Sequence, residues 1–338
     1  MLYAGLDVSK QTTAICIRDH AGAIVWQGEA ASSGDGLWTV LAPFSDQLGR
    51  VVLETGMLAS LLYRALMVRG LDVVCVDARR AWAVMRQMPN KTDANDAAML
   101  AELARTGFYR QVHVKGEAAQ TMRTLLKARD LLVRQRMDTD NAIRSALLSR
   151  GTPLPPEFRR WIDRVKAAIA EDPALSLALQ PLIELREAIL ASLTRLDREL
   201  RRQVKAHPVC RRLMTVPGIG PITSFAYVAT IEDPSRFASS SSVRAYVGLT
   251  PRRHQSGQVD YTGRISKLGD PMLRTLLFEA ASSLITRRFG GLPAMKRWAL
   301  RLKSRVGHKK ATVALARKMA VLLHRMWIDG TTFQDAHA

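Results

Sequence analysis

Cysteine is scarce in this chain: Cys16, Cys75 and Cys210 are its three, far apart and without paired spacing. That excludes a disulfide framework and a CxxC zinc site, and the seven histidines add no HxxxH pair. The thiols read as small buried hydrophobes in a reducing cytosol, so a cytoplasmic, nucleoid-associated protein is expected. Long apolar runs are missing too. No stretch of about 18 uninterrupted apolar residues occurs, so no membrane span is expected. The opening MLYAGLDVSK has no basic segment leading into an apolar one and does not read as a signal peptide. No Walker-type phosphate loop is present. Acids are the remaining shortage: 30 Asp and Glu stand against 50 Lys and Arg, a formal charge of +20. Such an excess favours a polyanionic partner, nucleic acid first, with a membrane surface or a ribosome-like assembly behind it.

What is present is enough for two or three domains, since 47% of the 338 residues are apolar. The basic excess is concentrated. Residues 251–325 hold 17 Lys and Arg against 3 Asp and Glu, a net of +14, which is a better sign of a binding surface than the total. Residues 1–112 read as α/β. Strands are expected at Leu2–Val8, Thr12–Arg18 and Ala23–Gly28 as an antiparallel meander, then at Arg50–Glu54 and Val73–Val76, with helices at Leu58–Val68 and Ala94–Arg105. This order matches a ribonuclease-H-like domain. Residues 113–206 read as a helical hairpin or coiled-coil arm. Met122, Leu125, Leu132, Met137, Ile143 and Leu147 line one helix, Pro153, Pro155 and Pro156 break it, and Leu182, Leu185, Ile189, Leu193, Leu196 and Leu200 line the next. Residues 207–330 read as mostly helical and basic, with a polar hairpin or loop at Arg253–Gly263.

The acids of the first segment carry the clearest chemistry. Asp7 ends the first strand and Glu54 the fourth, neighbours in a ribonuclease-H-like sheet. Asp93 and Asp96 share one face at the start of the helix that packs across them. Converging carboxylates repel until something neutralises them, and Mg²⁺, a hard cation with oxygen ligands, does so; Mn²⁺ is the expected substitute. Two such ions about 4 Å apart clamp the attacking and leaving oxygens of a phosphodiester. Taken singly, each acid also reads as a solvated residue, and Asp93 as a helix N-cap.

Two further stretches stand out. Pro217-Gly218-Ile219-Gly220-Pro221 reads as a helix–hairpin–helix turn in which Gly218 and Gly220 let backbone N–H groups approach a phosphate; its plain alternative is a glycine turn between packed helices. The block from Tyr246 to Arg274 carries Arg252, Arg253, Arg264, Lys267 and Arg274 around a Ser256-Gly257 pair. Lys309 and Lys310 add to the same basic surface. From spacing alone, Ser-Gly is a turn. Metal-only cleavage by water and non-catalytic binding both remain compatible with the residues at this point.

The ordered set Gly5-Leu6-Asp7-Val8-Ser9-Lys10, Leu53-Glu54-Thr55-Gly56, Lys91-Thr92-Asp93-Ala94-Asn95-Asp96-Ala97, Pro217–Pro221 and Gly248-Leu249 to Arg274 resembles the DEDD-type insertion-sequence transposases (the "one-ten" and "eleven-eleven" groups) and the related Piv-type DNA invertases. The resemblance implies a RuvC-type, ribonuclease-H-like first domain with a metal-binding tetrad on Asp7, Glu54, Asp93 and Asp96. It also implies a coiled-coil arm and a C-terminal transposase domain with a catalytic serine. That serine falls on Ser256, with Ser266 second. Double-stranded DNA is the implied substrate, a homodimer or homotetramer the implied assembly, and some members use a structured guide RNA from their own element.

Overall fold

The computed structural model describes residues 1–79, 90–152, 161–287 and 294–334. The chain divides into two compact units, Met1–Gly116 and Glu117–Ala338. The arm and the basic region, separate in the sequence reading, fall in the second. Pro153, Pro155 and Pro156 lie outside the described residues.

The first unit is built on a five-stranded sheet in the order β3-β2-β1-β4-β5. Its strands are β1 (Leu2–Val8), β2 (Thr12–Arg18), β3 (Ile24–Ala31), β4 (Leu48–Glu54) and β5 (Val73–Val76). The first three pair antiparallel, while β4 runs parallel to β1 and β5 parallel to β4. Strand parity then sorts the side chains. Leu2, Ala4, Leu6, Ile15, Ile17, Val51, Leu53, Val73 and Cys75 form one face, packed against α1 (Gly34–Leu41) and α2 (Ala59–Met67). The sequence reading missed α1, which Ser33 caps by accepting the Gly36 N–H at 3.0 Å. Strand β3 also extends three residues past the expected Gly28. All three cysteines are buried and unpaired, as expected of small apolar side chains.

The opposite face carries Gly5, Ala14, Cys16, Val52, Val74 and Val76 beneath α3 (Asp93–Thr106). This helix is rich in alanine where it meets the sheet: Ala97, Ala98 and Ala101 are buried against Ala14 and Cys16. A Cβ on Gly5 would stand 2.2 Å from both the Ala101 nitrogen and the Ala97 carbonyl oxygen. The helix backbone therefore rests directly on β1, an approach that only glycine permits.

In the second unit α4 (Glu117–Leu148) and α6 (Pro173–Ala206) lie side by side, with α5 (Trp161–Ala170) closing one end. The pair is antiparallel, because Arg129 meets Asp197 and Arg186 meets Asp140. The Arg186–Asp140 pair is largely buried at 2.7 Å, and the Arg186 guanidinium also covers the Trp161 ring. The inward stripe of α6 differs from the sequence reading. Ile183, Ile189, Leu193, Leu200 and Val204 are buried, whereas Leu185 is exposed. The helix continues through Pro181.

Leu126, Leu200 and Val204 belong to the main core of this unit, shared with α7 (Pro208–Leu213), α8 (Pro221–Ile231), α10 (Pro271–Thr286), α11 (Ala294–Val306) and α12 (His308–Asp329). Helix α8 is buried from Thr223 to Ile231, and Tyr227 donates its hydroxyl to the Ala320 carbonyl at 2.7 Å. After the short α9 (Val243–Tyr246), the chain forms the antiparallel hairpin β6 (Pro251–Ser256) and β7 (Val259–Ile265). This resolves the expected hairpin or loop at 253–263 as a ribbon, exposed on both faces.

Gly5→Ala should destabilise the chain by about 1–3 kcal/mol, since overpacking must push α3 off β1. Denaturant unfolding of the full chain measures this, and an unshifted midpoint would contradict the close approach.

Candidate active site

Parity puts Asp7 and Glu54 on the α3 face. Gly5 and Val52 point under the helix, and two residues further along β1 and β4 the same direction carries Asp7 and Glu54. Asp93 and Asp96 stand in the first turn of α3. The N-cap is Thr92, whose hydroxyl accepts the Asn95 N–H at 3.2 Å, so Asp93 is not the cap and its carboxylate is not spent on the helix end. Acids in that first turn also meet the positive end of the helix dipole.

The four acids share one electrostatic field. The Asp7 carboxyl is raised to about 6, first by burial and then by Asp93 and Asp96; Lys91 opposes the shift. Glu54 is raised to about 7 by burial, then by Asp7 and Asp96, again opposed by Lys91. One Glu54 carboxylate oxygen, Oε1, is buried with no hydrogen-bond partner among the described residues. Among the described residues no three His, Cys, Asp or Glu side chains are gathered closely enough to hold a metal ion as they stand. Two contributors escaped the sequence reading. Asp77, just past the end of β5, adds to the charge on Glu54, and Lys91 offsets it. The signal for Asp77 was there: Val-Val-Cys-Val-Asp repeats the pattern of Val-Val-Leu-Glu one strand over.

Ser256 lies in the second unit, at the end of β6, where it pairs with Val259 across a two-residue loop. Gly257 takes φ +56 at the first loop position and Gln258 keeps a negative φ, the II′ pattern that matches strand twist. The Ser256 side chain is exposed, and no described residue hydrogen-bonds its hydroxyl. Ser266 sits at the base of the ribbon. Its N–H binds the Thr250 carbonyl at 2.8 Å, and its hydroxyl accepts weakly from the Leu268 N–H at 3.4 Å.

The basic candidates divide into two groups. Arg253 forms a two-toothed pair with Asp260 at 2.9 and 2.5 Å, Arg252 reaches the Ser266 carbonyl at 3.3 Å, and Arg274 donates to the Val247 and Lys267 carbonyls at 3.3 and 3.2 Å. These three help hold the ribbon. The backbone beneath them is tight: a Cβ on Gly248 would meet the Leu268 carbonyl oxygen at 2.1 Å, and one on Gly269 the Tyr246 oxygen at 2.0 Å. Lys267 turns this corner at φ +56. Arg264, Lys309 and Lys310 face solvent and make no ion pair among the described residues. Lys309 and Lys310 open α12, whose first turn has no acid and whose N-cap, Gly307, supplies no side chain. Two cations at the positive end of a helix oppose its dipole, an arrangement suited to an anion rather than to helix stability. Gly218 takes φ +89 and packs toward the Ala280 carbonyl of α10, so its role lies in the fold. A Cβ on Gly220, the N-cap of α8, would meet open space.

Acids crowded at the ends of two central strands and a separate, strongly basic helical unit are parts of an enzyme that cuts and transfers DNA strands, and the comparisons agree. A transposase model of the DEDD IS110 type matches residues 4–150, and the "Transposase IS116/IS110/IS902 family" model matches residues 210–297. The chain is 29% identical to the transposase of insertion sequence element IS1111A of Coxiella burnetii, over 98% of this chain and 90% of that one. It is 31% identical to the "Probable family 20 transposase" of Pseudomonas aeruginosa, over 69% of this chain and 71% of that one. It is also 31% identical to the pilin gene-inverting protein of Moraxella bovis, over 39% and 42% of the two chains. The chain belongs to the IS110/IS116/IS902 family of DEDD-type insertion-sequence transposases. Among the described residues no helix is long and apolar enough to cross a membrane.

Two outcomes test this geometry. In buffer free of divalent cations, Glu54→Gln should match the parent near pH 4, where the parent carboxyl is neutral folded or unfolded. Because folding raises the Glu54 pKa from 4.5 to about 7, the parent binds more protons folded than unfolded. It should therefore lose stability relative to the variant as pH rises through that window. Thermal melts from pH 4 to 8 measure the divergence, and parallel curves would contradict it. For Lys309→Glu with Lys310→Glu, the melting temperature should hold or rise while duplex-DNA affinity falls at least tenfold. The slope of log affinity on log salt should flatten by about 2. Unchanged affinity would remove this helix end from the DNA surface.

Proposed function

We propose that this transposase excises and inserts its element by serine attack on a phosphodiester, assisted by divalent cations held on Asp7, Glu54, Asp93 and Asp96. The observation that carries the reading is the mutually repelling carboxylate group, with one Glu54 oxygen buried and unpartnered. A group so placed costs stability and makes no contribution to the fold, which is the signature of a site awaiting a cation. The donor set is all oxygen, which suits Mg²⁺ or Mn²⁺. A bound cation there supplies charge neutralisation at the phosphate and polarises the bond to be broken. The five-stranded sheet, three antiparallel strands followed by two parallel ones with α3 across the back, supports the ribonuclease-H-like reading. The paired α4 and α6 support the coiled-coil arm, and an assembly of two or four chains would hold the duplexes to be exchanged.

Ser256 is the nucleophile in this reading. Its hydroxyl is exposed at a hairpin tip and has no partner among the described residues, whereas the Ser266 hydroxyl is turned into the corner of its own loop. As Oγ bonds to phosphorus, the bond from phosphorus to the sugar oxygen breaks, and the phosphoserine ester keeps the energy needed for rejoining. The reading includes a guide RNA from the element's own ends, as the family resemblance implies.

Asp7→Asn, Glu54→Gln, Asp93→Asn and Asp96→Asn should each lower cleavage of a plasmid carrying the gene with its flanking DNA by at least about 100-fold, without loss of fold. Ser256→Ala should bind the plasmid and form no covalent protein–DNA adduct. Adduct formation by Ser256→Ala but not by Ser266→Ala moves the nucleophile to Ser266. Cleavage that never yields an adduct with any variant favours water as the attacking group.

A further inference from the structure

The ribbon that ends in Ser256 has two chemically different faces, fixed by its register. Ser256 pairs with Val259, His254 with Tyr261, Gln255 with Asp260 and Arg253 with Thr262. Directly opposed residues in an antiparallel pair share a face, and residues two apart on one strand share it as well. His254, Tyr261 and Ser256 therefore stand on one side. Gln255, Asp260, Arg253 and Thr262 stand on the other, where Arg253 and Asp260 are occupied with each other.

The His254 ring is not loose. It stacks on Tyr261 with centroids 5.0 Å apart and planes 17° from parallel. An offset stack of this kind holds the ring plane while leaving the edge nitrogens clear. Two strand steps separate the Cα atoms of His254 and Ser256 by about 6.6 Å. The imidazole makes no hydrogen bond to the Ser256 hydroxyl as it stands, and a lean along the strand or one intervening water would close the gap. Serine needs such help, because its hydroxyl does not ionise near neutral pH and attacks only when a base removes the proton. On this face of the ribbon the imidazole is the side chain suited to that task at neutral pH. The stack also explains why a histidine sits on a ribbon that buries nothing: for strand pairing alone, a second aromatic or a threonine would serve.

We propose that His254 is the general base of the strand-cleaving step, held in place by Tyr261; the proposal rests on the reading of Ser256 as nucleophile. The Ser256 proton passes to the imidazole as the Oγ–phosphorus bond forms. The bond from phosphorus to the sugar oxygen breaks, and that oxygen takes a proton from solvent. In rejoining, the free sugar hydroxyl attacks and gives its proton to solvent, the phosphoserine bond breaks, and the imidazolium returns its proton to Oγ.

The test uses the full chain with Mg²⁺, a supercoiled plasmid carrying its own gene with flanking DNA, and the RNA transcribed from that plasmid, reading the rate of covalent adduct formation in a single turnover. His254→Phe keeps an aromatic ring on Tyr261 but cannot take a proton. It should bind the plasmid as the parent does and form adduct at least about 100-fold more slowly. His254→Ala should be equally slow, and added imidazole should restore its rate at least tenfold. Adduct rates within threefold of the parent in both variants, with Ser256→Ala forming none, would overturn the proposal and leave Ser256 as nucleophile. A slow His254→Ala that imidazole fails to rescue would overturn it equally, as a base can be replaced in solution and a structural ring cannot. If Ser256→Ala itself forms adduct, the serine reading fails first and this proposal fails with it.

Discussion

The first unit depends on a single close approach. With no Cβ at Gly5, the backbone of α3 lies on β1 at Ala97 and Ala101, and that contact sets where the first turn of the helix falls. Asp93 stands one turn before Ala97 and Asp96 immediately before it, so the distance between helix and strand is also the distance between two acids and the other two. Strand parity does the rest, since any residue that follows Gly5 or Val52 by two points the same way. A larger side chain at position 5 would not merely loosen packing; it would lift two of the four carboxylates away from their partners.

The second unit solves a different problem. A two-stranded ribbon exposed on both faces is marginal on its own, yet the nucleophile we propose at its tip would have to be held. The solution is at the base, where Gly248 and Gly269 let two backbone segments cross in direct contact and Arg274 ties the crossing through two carbonyls. Higher up, the Arg253–Asp260 pair braces one face, and the His254–Tyr261 stack braces the other. Much of the local positive charge is thus structural. The net of +14 over residues 251–325 therefore overstates the charge free to meet a polyanion, since Arg264, Lys309 and Lys310 make no ion pair among the described residues while Arg253 does.

The strands of the first unit were legible because alternation and turn residues specify them locally, and an acid after a run of β-branched residues marks a strand end wherever it occurs. Asp77 obeys the same rule as Glu54, and it is the sheet order, with β5 beside β4, that brings the two acids together. Thr92 and Asp93 are both good caps, and nothing in their order says which bonds the helix end; only the backbone φ and ψ decide. In α6, leucines and isoleucines at 182, 183, 185, 189 and 190 are dense enough to fit two registers, and the partner helix selects the one that buries Ile183 and exposes Leu185. The roles of Arg252, Arg253 and Arg274 were out of reach for another reason. Their partners are backbone carbonyls and an acid brought close by a turn, and arginine composition alone cannot separate a brace from a phosphate ligand.

The carboxylate site is poised by its own repulsion. Burying a carboxylate oxygen without a partner costs about 1–3 kcal/mol or more when the group is charged, and the fold lowers that cost by keeping protons on Asp7 and Glu54 up to about 6 and 7. Near neutral pH the cluster is therefore partly protonated, and those protons must leave before four carboxylates can share a cation. Cation affinity is then coupled to proton release, rising with pH through the same window in which the unfilled site becomes less stable. In the function we propose, the repulsion that weakens the unit would also make the site selective, because a small, doubly charged ion with oxygen ligands relieves it more fully than a monovalent one. Lys91 already relieves part of it. A single ammonium offsets only part of the repulsion among four carboxylates, so the need for a further positive charge remains.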